Sequence, residues 1–209
     1  MKNFALLVAA IFHPLLLPSY GFGVLFFGTK LTIFPTSYEI KWRLWIILFV
    51  MTFLIPFVCI LIFYLMKGIK SLMISDKEER INPFLLTTFL YSFFTFFFLT
   101  NENLIHFPAI GIILLGISLS LASLTLITLY WKISAHSIGM SGLLGGFFAI
   151  QIIYHTDLLF LFFLLIVLTG LVMSARLYVA AHTPSQVWAG AGLGFFINFF
   201  VVLSLLFFR

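Results

Sequence analysis

The chain has 209 residues, 63% of them apolar and only 8% charged, with a formal net charge of +5. Soluble domains run at roughly 45–50% apolar and about 25% charged. A chain this poor in charge cannot cover a water-facing surface, and the same numbers exclude disorder. The single Cys59 excludes a disulfide framework and a Cys-based zinc site. The basic residues stand singly between apolar runs and form no patch, so no nucleic-acid partner is expected. The composition implies an all-α integral membrane helical bundle of about six to seven transmembrane helices, one domain over 1–209. The expected setting is a multi-pass position in a bacterial cell (inner) membrane.

A helix needs roughly 20 apolar residues to cross a bilayer core. Seven stretches qualify: 4–28, 44–66, 82–100, 107–131, 136–154, 158–175 and 185–208. The first follows Lys2, has no convincing cleavage site and is expected to be a retained helix. His13-Pro14 and Pro18 predict a kink within it, and Pro56 a kink in the second span. Asn101 to His106 separate the third and fourth spans, and a short turn at His155-Thr156-Asp157 the fifth and sixth.

The connections carry nearly everything polar. Lys30, Glu39, Lys41 and Arg43 fall between or near the first two spans; Lys67, Lys70, Asp76, Lys77, Glu78, Glu79 and Arg80 follow the second. Lys132, Ser134 and His136 follow the fourth, and Arg176, His182 and Gln186 the sixth. In a seven-span chain the second, fourth and sixth connections share one side of the membrane. Lys77, Arg80, Lys132, Ser134, His136, Arg176, His182 and Gln186 can therefore meet at one mouth of the bundle. Counting cations for sidedness gives seven on that side, with Lys2, against Lys30, Lys41, Arg43 and Arg209 on the other. Without the four candidate site cations Lys77, Arg80, Lys132 and Arg176, the balance is three against four and selects no side.

Two histidines, several cations and a hydroxyl on one face suit phosphate chemistry. Arginine offers a planar fork for two phosphate oxygens. A neutral histidine can attack phosphorus while a second, protonated one gives its proton to the leaving oxygen. Taken one at a time, an arginine or histidine at a helix end is more commonly an interfacial anchor. Gly142-x-x-x-Gly146 and Gly190-x-x-x-Gly194 are close-packing patterns of membrane helices and would draw His136 and His182 together.

The segment Ala175-Arg176-x5-His182-x3-Gln186, followed by Val187-x-x-Gly190, resembles the third signature of the type 2 phosphatidic acid phosphatase superfamily, Ser-Arg-x5-His-x3-Asp with a later Val-x-x-Gly. Ala175 stands for the Ser and Gln186 for the Asp. Ile133-Ser134-Ala135-His136 resembles the second signature, Pro-Ser-Gly-His, in its Ser and His. Lys77-Glu-Glu-Arg80-Ile-Asn-Pro83 is the nearest stretch to the first, Lys-x6-Arg-Pro. The resemblance covers roughly 77–190.

The resemblance implies a membrane phosphatase acting on a phosphate monoester or diphosphate of a lipid or isoprenoid. His182 would be the nucleophile that forms a phosphohistidine, and His136 would protonate the leaving group. Arg176, Arg80 and Lys77 would hold the phosphoryl oxygens with Ser134. Gln186 would take the place of the Asp that orients the nucleophile. No cofactor or metal is implied, since cationic side chains supply the charge. Partners would be the lipid or isoprenoid phosphate and membrane lipids. The change to Gln186 and the eroded first signature equally suit a non-catalytic relative that binds anionic lipid head groups. A transporter or channel is a further alternative, although no Asp or Glu falls within a predicted span, and a structural membrane protein with an accidental motif match is the third.

Overall fold

The computed structural model describes residues 1–29, 31, 34–35, 37–68, 77–102, 104 and 107–208; the side chains of 77, 207 and 208 are outside that description. Lys30, Lys70, Asp76, Asn103, Ile105, His106 and Arg209 also lie outside it. The described residues form a helical bundle without strands: α1 (Lys2–Ile11), α2 (Leu17–Gly23), α3 (Tyr38–Phe49), α4 (Ile55–Leu65), α5 (Lys77–Thr100), α6 (Pro108–Tyr130), α7 (Ala135–Tyr154), α8 (Leu159–Tyr178) and α9 (Pro184–Leu203).

Six helices among the described residues are long and apolar enough to cross a membrane. They are α3 running into α4 as one helix over Tyr38–Leu65, and α5 to α9. Large apolar side chains such as Phe89, Phe96, Phe160, Phe163, Trp188 and Phe200 stand exposed on the outside. Lipid, unlike water, accepts such a surface. The protein is a multi-pass membrane protein.

The expected first span, 4–28, is not one kinked helix. It breaks at Phe12–Leu16 into α1 and α2, the latter continued by a π-helical turn, Val24–Gly28. Pro14 lacks the N–H that would carry the helix through, and Pro18 sits in the first turn of α2, where a missing donor costs nothing. Neither piece spans a ~30 Å core alone at 1.5 Å per residue. The alternation of the later connections survives this change, because it depends only on the six long helices.

Pro56 acts as expected but in a particular way. It cannot donate to the carbonyl of Thr52 one turn earlier, and the helix loosens there into a π-helical turn, Val50–Leu54. The Thr52 carbonyl instead accepts from the buried Tyr91 hydroxyl of α5, 2.6 Å away. Hydroxyl pairs Thr95–Ser118 (2.8 Å) and Thr88–Thr125 (2.9 Å) tie α5 to α6.

The closest pairing in the bundle is α7 against α9, and glycine makes it possible. A Cβ on Gly194 would collide with the Ile138 carbonyl oxygen, and one on Gly145 with the Phe195 carbonyl oxygen. Gly190 packs likewise under Ser134, where a Cβ would come 2.9 Å from the backbone oxygen. The two helices thus touch backbone to backbone along their length, as small-residue patterns allow. That contact brings the first turns of α7 and α9 to the same end of the bundle.

Candidate functional site

His182 sits between two helix ends, each closed by its own motif. Helix α8 stops in a Schellman turn: Ala180 adopts a left-handed φ of 52°. Its N–H donates to the Leu177 carbonyl (2.9 Å) and that of Ala181 to the Arg176 carbonyl (3.1 Å). Helix α9 starts with a capping box. The Thr183 hydroxyl accepts from the Gln186 N–H (3.4 Å), while Gln186 Oε1 accepts from the Thr183 N–H (3.1 Å). His182 therefore precedes the N-cap and is not on the same helix as Gln186. The contact forms nonetheless, because the capping side chain reaches back.

The ring of His182 faces two oxygens through one nitrogen. Nδ1 lies 3.2 Å from the Lys132 carbonyl and 3.3 Å from Gln186 Oε1. Both are acceptors, so Nδ1 carries the proton and donates. In the neutral ring the lone pair then resides on Nε2. Burial pushes the His182 pKa down, reinforced by the charges of Arg80 and then Arg176, to about 4. The ring is neutral at pH 7, only 8% exposed, and lines an open hollow with Lys132, Ala181, Thr183 and Gln186.

His136 occupies the first turn of α7, whose N-cap is Ser134. The Ser134 oxygen accepts from Ser137 N–H (3.3 Å) and from the Ser137 hydroxyl (3.0 Å), and its residue is fully buried. Its N–H donates to the Gln186 carbonyl (3.3 Å), pinning the α6–α7 connection to α9. Ser134 is thus first a helix cap, and the part foreseen for it in a phosphate cradle would have to use its own hydroxyl proton. His136 Nε2 lies 3.0 Å from the Ala9 carbonyl of α1, so that nitrogen is the protonated one.

Arg176, in the last turn of α8, is within electrostatic reach of His13, His136 and His182, and Arg80 of His182. The expected convergence of the second, fourth and sixth connections is therefore present in the described residues. The Nε of Arg176 is buried and has no hydrogen-bond partner among them. Arg80 is 7% exposed at the start of α5. Lys77 opens that helix, but its side chain lies outside the described residues.

One residue at this mouth went unforeseen. His13, in the break between α1 and α2, packs edge-on against His136 with ring centroids 5.9 Å apart. The Leu15 N–H approaches its Nδ1 at 3.4 Å, which leaves the proton on Nε2. The sequence signal was the His-Pro pair itself. Reading it as the middle of a span placed it far from the mouth. Among the described residues, no three His, Cys, Asp or Glu side chains gather so as to hold a metal ion.

Compared with known proteins, the chain matches no family model, no curated protein and no solved structure.

Proposed function

We propose that this chain is a membrane phosphatase that hydrolyses a phosphate monoester or diphosphate on a lipid or isoprenoid through a phosphohistidine. The observation that carries the reading is the buried Nε of Arg176, without a hydrogen-bond partner among the described residues, beside a histidine whose two oxygen partners both lie at Nδ1 and leave the lone pair on Nε2. A buried guanidinium N–H with no partner among the described residues suits an anionic oxygen. A neutral imidazole beside it suits attack on phosphorus.

In this reading Arg176 and Arg80 hold the phosphoryl oxygens. His182 Nε2 forms the N–P bond as the P–O bond to the leaving group breaks. His136, carrying a second proton on Nδ1, gives that proton to the departing oxygen and returns to its neutral ring. Water then attacks the phosphohistidine, releasing phosphate and restoring the free ring. The Ala9 carbonyl holds the His136 Nε2 proton, so the proton given away is the one on Nδ1.

A second reading is a non-catalytic site for anionic lipid head groups. It is favoured by Gln186, which is occupied in capping α9 and brings no negative charge to steady a charged imidazole. Phosphate release from a lipid phosphate by purified protein separates the two. The phosphatase reading expects His182→Ala to abolish release, Arg176→Gln to slow it by ~10²-fold or more, and a chelator to leave the wild-type rate unchanged. Binding of anionic lipid with no release from several lipid phosphates establishes the second reading.

A further inference from the structure

Beneath the histidine cluster the bundle contains a narrow, partly enclosed cavity of about 100 Å³ between α2, α6, α7 and α9, with Tyr91 of α5 on its wall. Its upper end is lined by Pro14 and Ala135, the chain neighbours of His13 and His136. Its lower end reaches Ile150 and Val202. Along α7 that is fifteen residues, about 22 Å at 1.5 Å each. The walls are almost wholly aliphatic and aromatic. Asn198, the amide on the wall, donates to Ser120 Oγ (2.9 Å) and to the Gly194 carbonyl (3.0 Å). Walls of this kind hold hydrocarbon and not water.

We propose that this cavity receives a single hydrocarbon tail of the molecule whose phosphate lies at Arg176 and His182, and that Gly146 sets the depth the tail can reach. The inference rests on the phosphate reading above for its head group. The cavity begins beside the cationic cluster and runs away from it, which is the layout a phosphorylated amphiphile requires. One leaflet of a ~30 Å hydrocarbon core is about 15 Å deep. The lining runs farther than that, so a slender tail entering the cavity would reach beyond an ordinary leaflet's depth.

Gly146 lies eleven residues below Ala135, about 16 Å down α7, and lines the wall. Among the described residues a Cβ there meets only Val202 Cγ2, at an ordinary 3.8 Å. By contrast, Cβ atoms on Gly139 and Gly142 would come within 2.6 Å of Leu17 and 2.8 Å of Asn198. Gly146 is thus the glycine of this wall that accepts a side chain without disturbing its neighbours. A large side chain there would close the lower cavity and leave the upper part open. Moving a tail from lipid into an apolar cavity gains little, since lipid is equally apolar. Tail length therefore registers as exclusion by a plug, and not as added affinity.

The test uses the full chain, purified in detergent, with two single-tailed alkyl phosphonates, whose heads cannot be hydrolysed. Their tails are about 10 and about 20 carbons, chosen to fall short of and beyond a leaflet's depth. Each carries a photoreactive diazirine at its end. On wild-type protein the long probe should label the region of Ile150 and Val202, and the short probe that of Gly139 and Leu17. Gly146→Leu should weaken the long probe by at least ~10-fold, or ~1.4 kcal/mol, and leave the short one unchanged. Gly146→Ala should bind both as wild type does. Labelling of the outer face near Phe160 or Phe196 overturns the proposal, whether or not the leucine variant folds. So does equal binding of both lengths by a folded Gly146→Leu protein. An alcohol of the same tail length and Arg176→Gln isolate the head group. Deep labelling with no advantage of phosphonate over alcohol retains the tail site and removes the phosphate reading.

Discussion

The pairs α7–α9 and α1–α2 meet at the same histidine cluster, but they are held by different means. Helices α7 and α9 touch through backbone, with carbonyl oxygens of one lying against glycines of the other. Helices α1 and α2 meet the bundle through side chains: Ala5, Val8 and Leu17 pack on Met140, Val172 and Ala175. Backbone contacts cannot adjust without moving a helix, whereas side-chain contacts repack. His182 is consequently fixed on the stiff side, between a Schellman turn and a capping box. The partners of His136 on the other side, His13 and the Ala9 carbonyl, sit on a chain segment already broken by proline. In the proposed mechanism, a phosphoryl acceptor held rigidly and a proton donor on a more adaptable segment fit this division.

The largest expected effect would break that comparison outright. Gly194→Ala puts a methyl group into the Ile138 carbonyl oxygen, and should cost at least ~3 kcal/mol or prevent folding. Gly21→Ala, in α2, meets only the end of Leu143, with Cδ2 at 2.7 Å. A leucine methyl can swing aside, so that variant should stay within ~1 kcal/mol of wild type. Gly192, on α9 itself, has nothing within 4 Å of a Cβ, and Gly192→Ala should be neutral or stabilising. Thermal or denaturant unfolding in detergent reads all three. Equal losses at Gly194 and Gly21 would erase the distinction between the two pairs.

The next prediction concerns the charge at the stiff side. With its pKa lowered to about 4, His182 is neutral above that pH and loses its lone pair below it. Under the proposed phosphatase reading, the acid limb of kcat/KM should therefore fall near pH 4 and not near the ordinary 6.5. Gln186→Glu keeps the length needed to reach both the His182 ring and the Thr183 N–H, and adds a carboxylate. A negative neighbour favours imidazolium, so the midpoint should move up by ~1 unit, carrying the acid limb with it. In the proposed mechanism, phosphohistidine formation should also quicken above that limb, because positive charge would develop on the ring. Gln186→Asp is one methylene shorter and should gain less. A pH–rate profile, with the His182 titration followed by NMR, checks direction and size. An unmoved midpoint would show that Gln186 is a cap and nothing more.

How much of this was legible in the sequence depends on what kind of interaction carries it. The six long helices follow from hydropathy, which a bilayer enforces residue by residue. The meeting of Arg80, Lys132, His136, Arg176 and His182 follows from the alternation of connections, which is topology. The break at Pro14 was visible as a kink. Its return to the mouth was not, because that depends on how α1 packs on α8. The protonation of His182 was also hidden, since one of its two acceptors is the backbone carbonyl of Lys132, and a carbonyl has no letter in a sequence. The glycine patterns announced close packing, but only the structure distinguishes Gly194, against backbone, from Gly146, which borders open space.

A smaller effect sharpens the role of the capping box. Thr183→Ala removes the acceptor for the Gln186 N–H and should cost ~1 kcal/mol. It should also loosen the Gln186 side chain that orients His182. The expected signature is a fall in kcat larger than the loss of stability accounts for at temperatures where the variant is fully folded. Thr183→Ser keeps the oxygen and should restore both. A variant that loses stability but keeps kcat would separate the cap from the site.

The smallest effect lies one turn away, at Ala180. Its left-handed φ closes α8 and aims the chain toward His182, and no Schellman turn forms without that conformation. For a residue with a Cβ the left-handed region costs ~1–2 kcal/mol, and glycine avoids it. Glycine also frees the unfolded chain, which gives back ~0.4–1 kcal/mol of the gain. Ala180→Gly should therefore stabilise the protein by ~0.5 kcal/mol, with the sign set by the first term exceeding the second. Because the turn keeps its shape, kcat should not change. If stability fell instead, the methyl of Ala180 would be making a packing contact worth more than the strain. If kcat fell while stability rose, the strain at Ala180 would itself be part of how His182 is held against the Lys132 carbonyl.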